Sequence, residues 1–459
     1  MVVMKFGGSS LTSGAAFKQI AEIILANRFS RKVVVLSAVG GVTERLLDAI
    51  ERALVSETVA AATVEMLRRV HGEIVASAIA NTAIQEETLK SIDLALAPLA
   101  RLLQGVALTG EATGRVRDAI IVTGERLSVR LMAGVISDCG GAAEALDSDV
   151  LGVPATGDFG GGNADLTQAR RVLPDAFDRL FRENQIPLVT GFFGANGQGE
   201  PLTFGRGGSD YAAAVLAGAL GATRLEIWKD VDGFLSASPE LVDNAQVLHA
   251  LSYDEAAELA YFGASILHPR TVEPLLERQI PIVIRNVFKP EGLGTWIDVD
   301  RHVSEAVVKS VTFDRNIALL RVHGVDVGYT VGLLSELVTA LSARHINIRS
   351  VMTSQTCINL LIDRAALRPA HALLQALSLG GVDVIEPREN LGLVAIVGEG
   401  LDTAEAVLAR CMIALHTAGI HIELTVAGAS RVAAYLIMRG EMLDEAVRVV
   451  HQSIFKTGR

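Results

Sequence analysis

The 459-residue chain is half hydrophobic and carries 52 acidic against 41 basic residues, a formal net charge of −11. At roughly 100–200 residues per domain it has room for two to four domains with sizeable cores. The acidic balance and the lack of a basic block argue against nucleic acid as a partner, and three scattered cysteines, Cys139, Cys357 and Cys411, suit a reducing cytoplasm better than a disulfide framework or a zinc site.

Mean hydropathy is high, +0.38, because alanine, leucine and valine abound. No uninterrupted apolar run reaches the ~18 residues of a membrane span; the stretch from Leu94 to Leu108 is broken by Pro98, Arg101 and Gln104. No membrane partner is expected, and the N-terminus lacks the basic-then-apolar pattern of a leader. The ten histidines form no HxxxH pair, so no metal held by protein side chains is predicted.

In chain order, Val2–Phe6 reads as a strand that breaks into Gly7-Gly8-Ser9-Ser10. Two glycines let backbone N–H groups approach an anion, and Lys5 at the strand end is a point charge suited to a phosphoryl group. Alone, a tight turn with a solvated lysine accounts for the same residues. A helical pattern from about Ala15 to Asn27 precedes a buried-strand pattern, Lys32–Ser37, which ends in Ala38-Val39-Gly40-Gly41-Val42-Thr43. Ala119–Val122 reads as another strand, followed by Thr123-Gly124-Glu125 at the start of a helix. There Glu125 either complements the helix dipole or accepts an ammonium group. Ile186–Thr190, Arg224–Trp228 and Ile280–Arg285 complete the strand candidates. Their alternation with helices predicts an α/β fold around a largely parallel sheet covered on both faces. Ligands then bind beyond the carboxyl ends of the strands, where the glycine-rich stretches fall.

The stronger signal is Gly205-Arg206-Gly207-Gly208-Ser209-Asp210 running into an alanine-rich helix. It is a helix N-terminus open to an anion, preceded by an arginine able to grip a carboxylate or phosphate with two bonds. Asp210 caps the helix, or holds a lysine or a magnesium ion. Two cradles of this kind suggest two anionic ligands, one of them a nucleotide. Trp228-Lys229-Asp230-Val231-Asp232-Gly233 is an acidic turn or a weak cation site. Gly157–Gly162 lacks the spacing and the preceding strand of a dinucleotide fingerprint.

From about Asn316 the texture changes to an internal repeat. Ala340–Ile362 matches Ala414–Ile437, with Ile346 equivalent to Ile420. Each copy reads strand, helix, strand, strand, helix, which predicts two small α+β modules with their own cores. Glu305–Phe313 looks like one further strand that completes one of them.

Together KFGGSS, SAVGGVT, TGERLS, LTFGRGGSDYAAAVLA, WKDVDG, LSYDEAAELAYFGASILHPRTVEPL and IPIVIRN resemble the aspartokinases over the whole chain, and the repeat resembles that family's tandem ACT domains. The resemblance implies the amino-acid-kinase fold over 1–300, ACT modules over 305–390 and 391–459 with one strand exchangeable between them, and a homo-oligomer formed through the ACT modules. It implies transfer of the ATP γ-phosphate to the side-chain carboxylate of L-aspartate, with MgATP as co-substrate. By the same resemblance Lys5 stabilises the transferring group and Asp210 orients Lys5. Gly7, Gly8 and Ser9 cradle phosphate, while Ser37, Thr43 and Ser209 line the aspartate pocket. Glu125 accepts the substrate ammonium and Arg206 its α-carboxylate. Trp228, Lys229, Asp230 and Leu235 lie along the nucleotide edge, and Met352, Thr353, Ser354 and Gln355 belong to an effector site. Another amino-acid carboxylate as acceptor and a non-catalytic sensing subunit are the alternatives. The chain departs from its relatives at Ser265, where a lysine is frequent, and at Ser238 and Glu240, which replace an aspartate and an arginine. Arg349, Thr353, Gln355 and Ala427 replace effector-contacting residues.

Overall fold

The computed structural model describes residues 1–263, 266–302, 304 and 307–455. The chain divides into two units, Met1–Phe234 with Val247–Ala257 and Ser265–Arg301, and Leu235–Gln246 with Glu258–Ala264 and His302–Arg459.

The first unit is built on eight strands: β1 (Val2–Phe6), β2 (Lys32–Leu36), β3 (Ala143–Leu146), β4 (Ile186–Thr190), β5 (Arg224–Lys229), β6 (Ala250–Ser252), β7 (Ile282–Asn286) and β8 (Thr295–Asp298). Their order is β6-β8-β7-β5-β1-β2-β4-β3, parallel except for the β7–β8 pair. β1 and β2 are nearly unbroken apolar runs because helices cover both their faces. Helices α1 (Gly14–Ala26), α2 (Val42–Ala53), α3 (Val59–Ala78), α4 (Thr82–Thr109) and α5 (Thr123–Asp138) share one large core with Met4, Phe6, Val34 and Leu36. Also present are α6 (Leu166–Arg182) and the alanine-rich α7 (Gly208–Leu220). Lys32 opens β2 by capping α1: its Nζ donates to the carbonyls of Ile24 at 2.8 Å and Asn27 at 3.0 Å, where helix carbonyls lack partners.

One expectation fails here. Ala119–Val122 is not a strand: Gly114–Ile121 is helical, N-capped by Thr113, and Val122 leads directly into α5. A four-residue apolar run cannot by itself separate a buried strand from one buried turn of helix. One helix, α4, passes a membrane span's test of length and average composition with a mean hydropathy of 1.4, although Pro98, Arg101 and Gln104 interrupt its apolar run. Pro98 lies within the helix without ending it. Its buried residues, Thr88, Ile92, Ala95, Leu96, Leu99, Leu103 and Val106, recur at helical spacing on one stripe within the core of this unit.

The second unit holds β9 (Ser310–His323), α8 (Leu333–Ser342), β10 (Ile348–Thr353), β11 (Cys357–Asp363), α9 (Leu367–Gln375), β12 (Val384–Val397), α10 (Glu405–Thr417), β13 (Ile422–Val426), β14 (Ala433–Arg439) and α11 (Leu443–Phe455). One antiparallel sheet runs β10-β11-β9-β12-β14-β13. The two fourteen-residue strands β9 and β12 are shared. Ile317–His323 of β9 pairs with β11, while Ser310–Asp314 lies against the end of β12 that β14 also borders. Each repeat therefore contributes a strand half to both cores. The repeat extends to helix termination, since His345 and Gly419, 74 residues apart, both adopt left-handed backbone at the end of α8 and α10. The following N–H returns to the helix in each, Ile346 to Leu341 and Ile420 to Leu415, as in a Schellman closure. Glu305 and Ala306 of the expected extra strand lie outside the described residues.

Candidate active site

Lys5 is the penultimate residue of β1, flanked in register by Val35 of β2 and Ile227 of β5. Strand alternation sends Met4 and Phe6 into the core of helices α1–α5 and Lys5 to the other face. There its Nζ lies 2.6 Å from Asp210 Oδ1, with both side chains less than a tenth exposed. Asp210 sits in the first turn of α7. Lys229, the last residue of β5, reaches the same carboxylate at Oδ2 over 3.4 Å. One carboxylate thus lies between two ammonium groups. Burial pushes the Asp210 carboxyl up, but Lys5 and Lys229 outweigh it and hold it below the ordinary value. Lys5 is pulled below the usual lysine value, first by burial and further by Lys229, with Asp210 opposing.

Glu125, in the first turn of α5, is buried beside this group. Its Oε1 accepts the Ala38 N–H at 3.1 Å. Its Oε2 is buried without a hydrogen-bond partner among the described residues. Burial pushes the Glu125 carboxyl up to about 8, against the pull of the Ala38 N–H and of Lys5. Ser37 opens the turn after β2, its N–H bonded to the Phe6 carbonyl at 3.1 Å, and Thr43 is half-buried in the first turn of α2. The Lys5-Phe6-Gly7-Gly8 turn and the Ser37–Gly41 turn touch backbone to backbone. A Cβ on Gly8 would lie 3.0 Å from the Ala38 carbonyl, and one on Gly40 3.0 Å from that of Gly8, so glycine is what permits the approach. Ser9 Oγ donates to Asp230 Oδ1 at 3.1 Å, and the Gly7 N–H points to the Trp228 carbonyl. Ser209, at the second position of α7, lies against Gly191 just beyond β4. Arg206 precedes that helix with its side chain exposed. The carboxyl ends of β1, β2, β4 and β5 therefore gather two lysines, two buried carboxylates, several hydroxyls and free helix N–H groups, the components of a site for phosphoryl transfer.

Comparison with known proteins agrees. The Amino acid kinase family matches residues 1–286. The chain is 32% identical to Aspartokinase 2, chloroplastic, of Arabidopsis thaliana over 99% of this chain and 84% of that one, and 33% identical to Aspartokinase 3, chloroplastic, of the same plant over 99% and 82%.

The chain belongs to the aspartokinases.

A crystal structure of E. coli aspartokinase III in complex with aspartate and ADP, an R-state, superposes with a TM-score of 0.85 at 27% identity, covering 99% of this chain and all of that one. The lysine and aspartate complex of the same enzyme, a T-state, gives 0.81 at 26% over the same shares. The fold is thus the amino-acid-kinase fold followed by two ACT modules, and a kinase of the aspartokinase family is what the chain encodes.

Not every residue expected in this aspartokinase site lies in it. Trp228 is one register position from Lys229 and points the other way. It is 2% exposed in the core, stacked on Phe6 with ring centroids 5.9 Å apart. Its Nε1–H donates at 3.1 Å to Glu226, a wholly buried carboxylate. Its expected place on the nucleotide edge is therefore corrected to a supporting one, because adjacent residues in a strand face opposite sides. Trp228→Phe leaves Glu226 short of a buried donor and is expected to lower stability by about 1–3 kcal/mol, read from denaturant unfolding, while KM for ATP moves less than about twofold. Leu235 belongs to the second unit, where its carbonyl accepts the Ser310 hydroxyl at 2.8 Å. Glu240 and Ser238 lie in that unit also, Glu240 exposed, and Ser265 lies outside the described residues.

In the first ACT module Thr353, Ser354 and Gln355 line a cavity of about 590 Å³ with Val327–Thr330 and Leu333. Met352 does not line it. Arg349 does not either. It is buried, donates to Asp314 Oδ2 at 2.5 Å and to the Tyr261 carbonyl at 2.8 Å, and lies over the rings of Tyr261 and Phe262. The sequence reading, which placed Arg349 at an effector-contacting position, is replaced by a structural role. One residue that sequence reasoning missed is Asp118, which accepts the N–H groups of Thr203 at 2.8 Å and Gly160 at 3.1 Å and the Thr203 hydroxyl. It stands beside the run misread as a strand.

Proposed function

We propose that this chain transfers the γ-phosphoryl group of MgATP to the side-chain carboxylate of L-aspartate, giving 4-phospho-L-aspartate and ADP. The observation that carries the reading is the buried Lys5–Asp210–Lys229 cluster at the strand ends, with Glu125 alongside. An aspartate carboxylate, with an ordinary pKa of about 4, is already a nucleophile at neutral pH, so no general base is required. The protein aligns it with the phosphorus and neutralises charge spreading over the phosphoryl oxygens. Lys5 supplies the innermost positive charge. Asp210 fixes its position, and Lys229 makes the cluster net cationic. The backbone of Gly7 and Gly8 and the Ser9 hydroxyl cradle phosphate, with Asp230 tying Ser9 to the end of β5. Glu125 takes the substrate ammonium, Arg206 its α-carboxylate, and Ser37, Thr43 and Ser209 close the pocket. No group of three or more His, Cys, Asp or Glu side chains suited to a metal is found among the described residues. In this reading Mg²⁺ enters with the nucleotide, held mainly by phosphate and water oxygens, the ligands it prefers.

The ACT modules serve as the assembly and sensing part, joining subunits into a homo-oligomer, with the Thr353–Gln355 cavity as the effector site. Three free thiols fit a reducing compartment.

The decisive assay follows acyl-phosphate formation, trapped with hydroxylamine, over a panel of amino acids with MgATP. Hydroxamate with aspartate supports the reading; product only with another acid, or none, overturns it. Lys229→Thr is expected to raise KM for ATP about 5–10-fold, the scale of one ordinary hydrogen bond. The variant also moves the alkaline limb of kcat/KM upward, because Lys229 is one of the charges lowering the Lys5 pKa. Unchanged ATP affinity and an unmoved limb would count against this role.

A further inference from the structure

We propose that Arg270 is a positioning residue for the amino-acid substrate: its guanidinium holds the Phe204 carbonyl before Arg206 and the Tyr211 ring after it, setting the segment between them in the shape that receives the substrate's α-carboxylate. The inference rests on the reading of Arg206 given above. Arg270 lies in a short 3₁₀ turn, Pro269–Thr271. Its Nη1 donates to the Phe204 carbonyl at 2.9 Å, two residues before Arg206. Its Nη2 donates to the Gly162 carbonyl at 3.0 Å and to Asn163 Oδ1 at 2.7 Å. The guanidinium carbon lies 4.4 Å from the ring centroid of Tyr211, in the first turn of α7. Tyr211 in turn accepts the Ala164 N–H at its hydroxyl and meets Phe204 edge to face.

One side chain therefore ties three segments together: the strand end leading into Arg206, the glycine-rich 157–163 loop, and the helix whose free N–H groups form the anion cradle. The loop is anchored from its other side by Asp118, through Gly160 and Thr203. It also presses on the cradle, since a Cβ on Gly205 would lie 3.2 Å from the Gly160 carbonyl. His268, two residues before Arg270, closes the remaining side. A Cβ on Gly207, which has φ +71°, would come within 2.4 Å of the His268 side chain. Arg206 itself is exposed and stands between two left-handed glycines, so little else on its own segment fixes its direction. A planar guanidinium that meets three acceptors and an aromatic face supplies that rigidity in a way a lysine cannot match. The glycine-rich stretch that failed as a nucleotide fingerprint becomes, in this arrangement, the outer wall of the amino-acid pocket.

The experiment compares Arg270→Met, Arg270→Lys and Asn163→Ala with the unmodified full chain by steady-state kinetics and hydroxamate trapping. Arg270→Met is expected to raise KM for aspartate roughly 10–100-fold, the scale of a mispositioned binding group, with kcat and KM for ATP within about threefold. Arg270→Lys, which keeps the cation over Tyr211 but not the fork, recovers part of the loss, and Asn163→Ala shows a small shift of the same kind. Equal changes in both KM values, a fall confined to kcat, or an unchanged KM for aspartate would each overturn the proposal. If Arg270→Met fails to fold by circular dichroism, Arg270→Lys and Asn163→Ala decide it on the same criteria. Absence of aspartyl hydroxamate from the unmodified chain would instead refute the underlying function.

Discussion

Lys5→Ala lowers kcat at least about 100-fold, the scale of losing one electrostatic contact made in the transition state. The ammonium lies 2.6 Å from Asp210 in a site where water does not screen it, so its charge acts on the phosphoryl oxygens at low effective dielectric. Removing it leaves Asp210 buried with Lys229 alone, at 3.4 Å, and the cluster loses its net positive charge. The loss is expected mainly in kcat, with KM for ATP changing less than about tenfold, because the charge it meets grows as the bond to ADP breaks. Pre-steady-state quench measurements with saturating MgATP and aspartate read the chemical step directly. Turnover near that of the unmodified chain would remove Lys5 from the mechanism. The pH dependence has a definite sign. With its pKa below the ordinary lysine value, Lys5 loses its proton earlier on the alkaline side, so activity falls at a pH below about 10.4. The unfolded chain binds more protons in that window, so stability attributable to this group rises with pH there.

Glu125→Gln raises KM for aspartate about 100-fold, as expected for deleting one partner of a desolvated charged pair. The pKa of about 8 for Glu125 makes the mechanism visible without turnover. At pH 7 the free protein holds this carboxyl mostly protonated. An ammonium brought to its unpartnered Oε2 favours the ionised form, so aspartate binding releases close to one proton per site at pH 7 and much less at pH 9. Calorimetry in buffers of different ionisation enthalpy measures that release, and Glu125→Gln abolishes it. No proton release from the unmodified protein at pH 7 would contradict the assignment. The linkage sign follows from the raised pKa. Between the ordinary glutamate value and about 8 the folded chain binds the extra proton, so the unliganded protein loses stability relative to Glu125→Gln as pH rises through that window, with no further loss above it.

Much of this site was legible because phosphate chemistry demands glycine, lysine and helix starts in fixed order along the chain. Lys5 stands at a strand end, Ser37 just after one, and Glu125 and Asp210 in the first turns of helices, and those junctions have local signatures. Trp228 was not legible, since the direction of a side chain at a strand end depends on register with β1 and on which helices cover each face. Arg349 was read as an effector-facing cation because its position in the repeat is plain, whereas the aromatic rings and Asp314 that bury it are brought by distant segments. Arg270 carried no signal of its own, since its acceptors lie 66 and 108 residues away in the chain.

The sequence by itself determined the alternation of strand and helix, the glycine turns at the strand ends, the repeated module and the family. These depend on local periodicity and on steric limits that neighbouring residues impose on one another. Only the tertiary structure decided that one carboxylate stands between two lysines, that β9 and β12 each serve both modules, that Ala119–Val122 is helical and that Trp228 turns into the core. Those outcomes depend on burial and charge contributed by segments far apart in the chain, which composition and spacing do not encode.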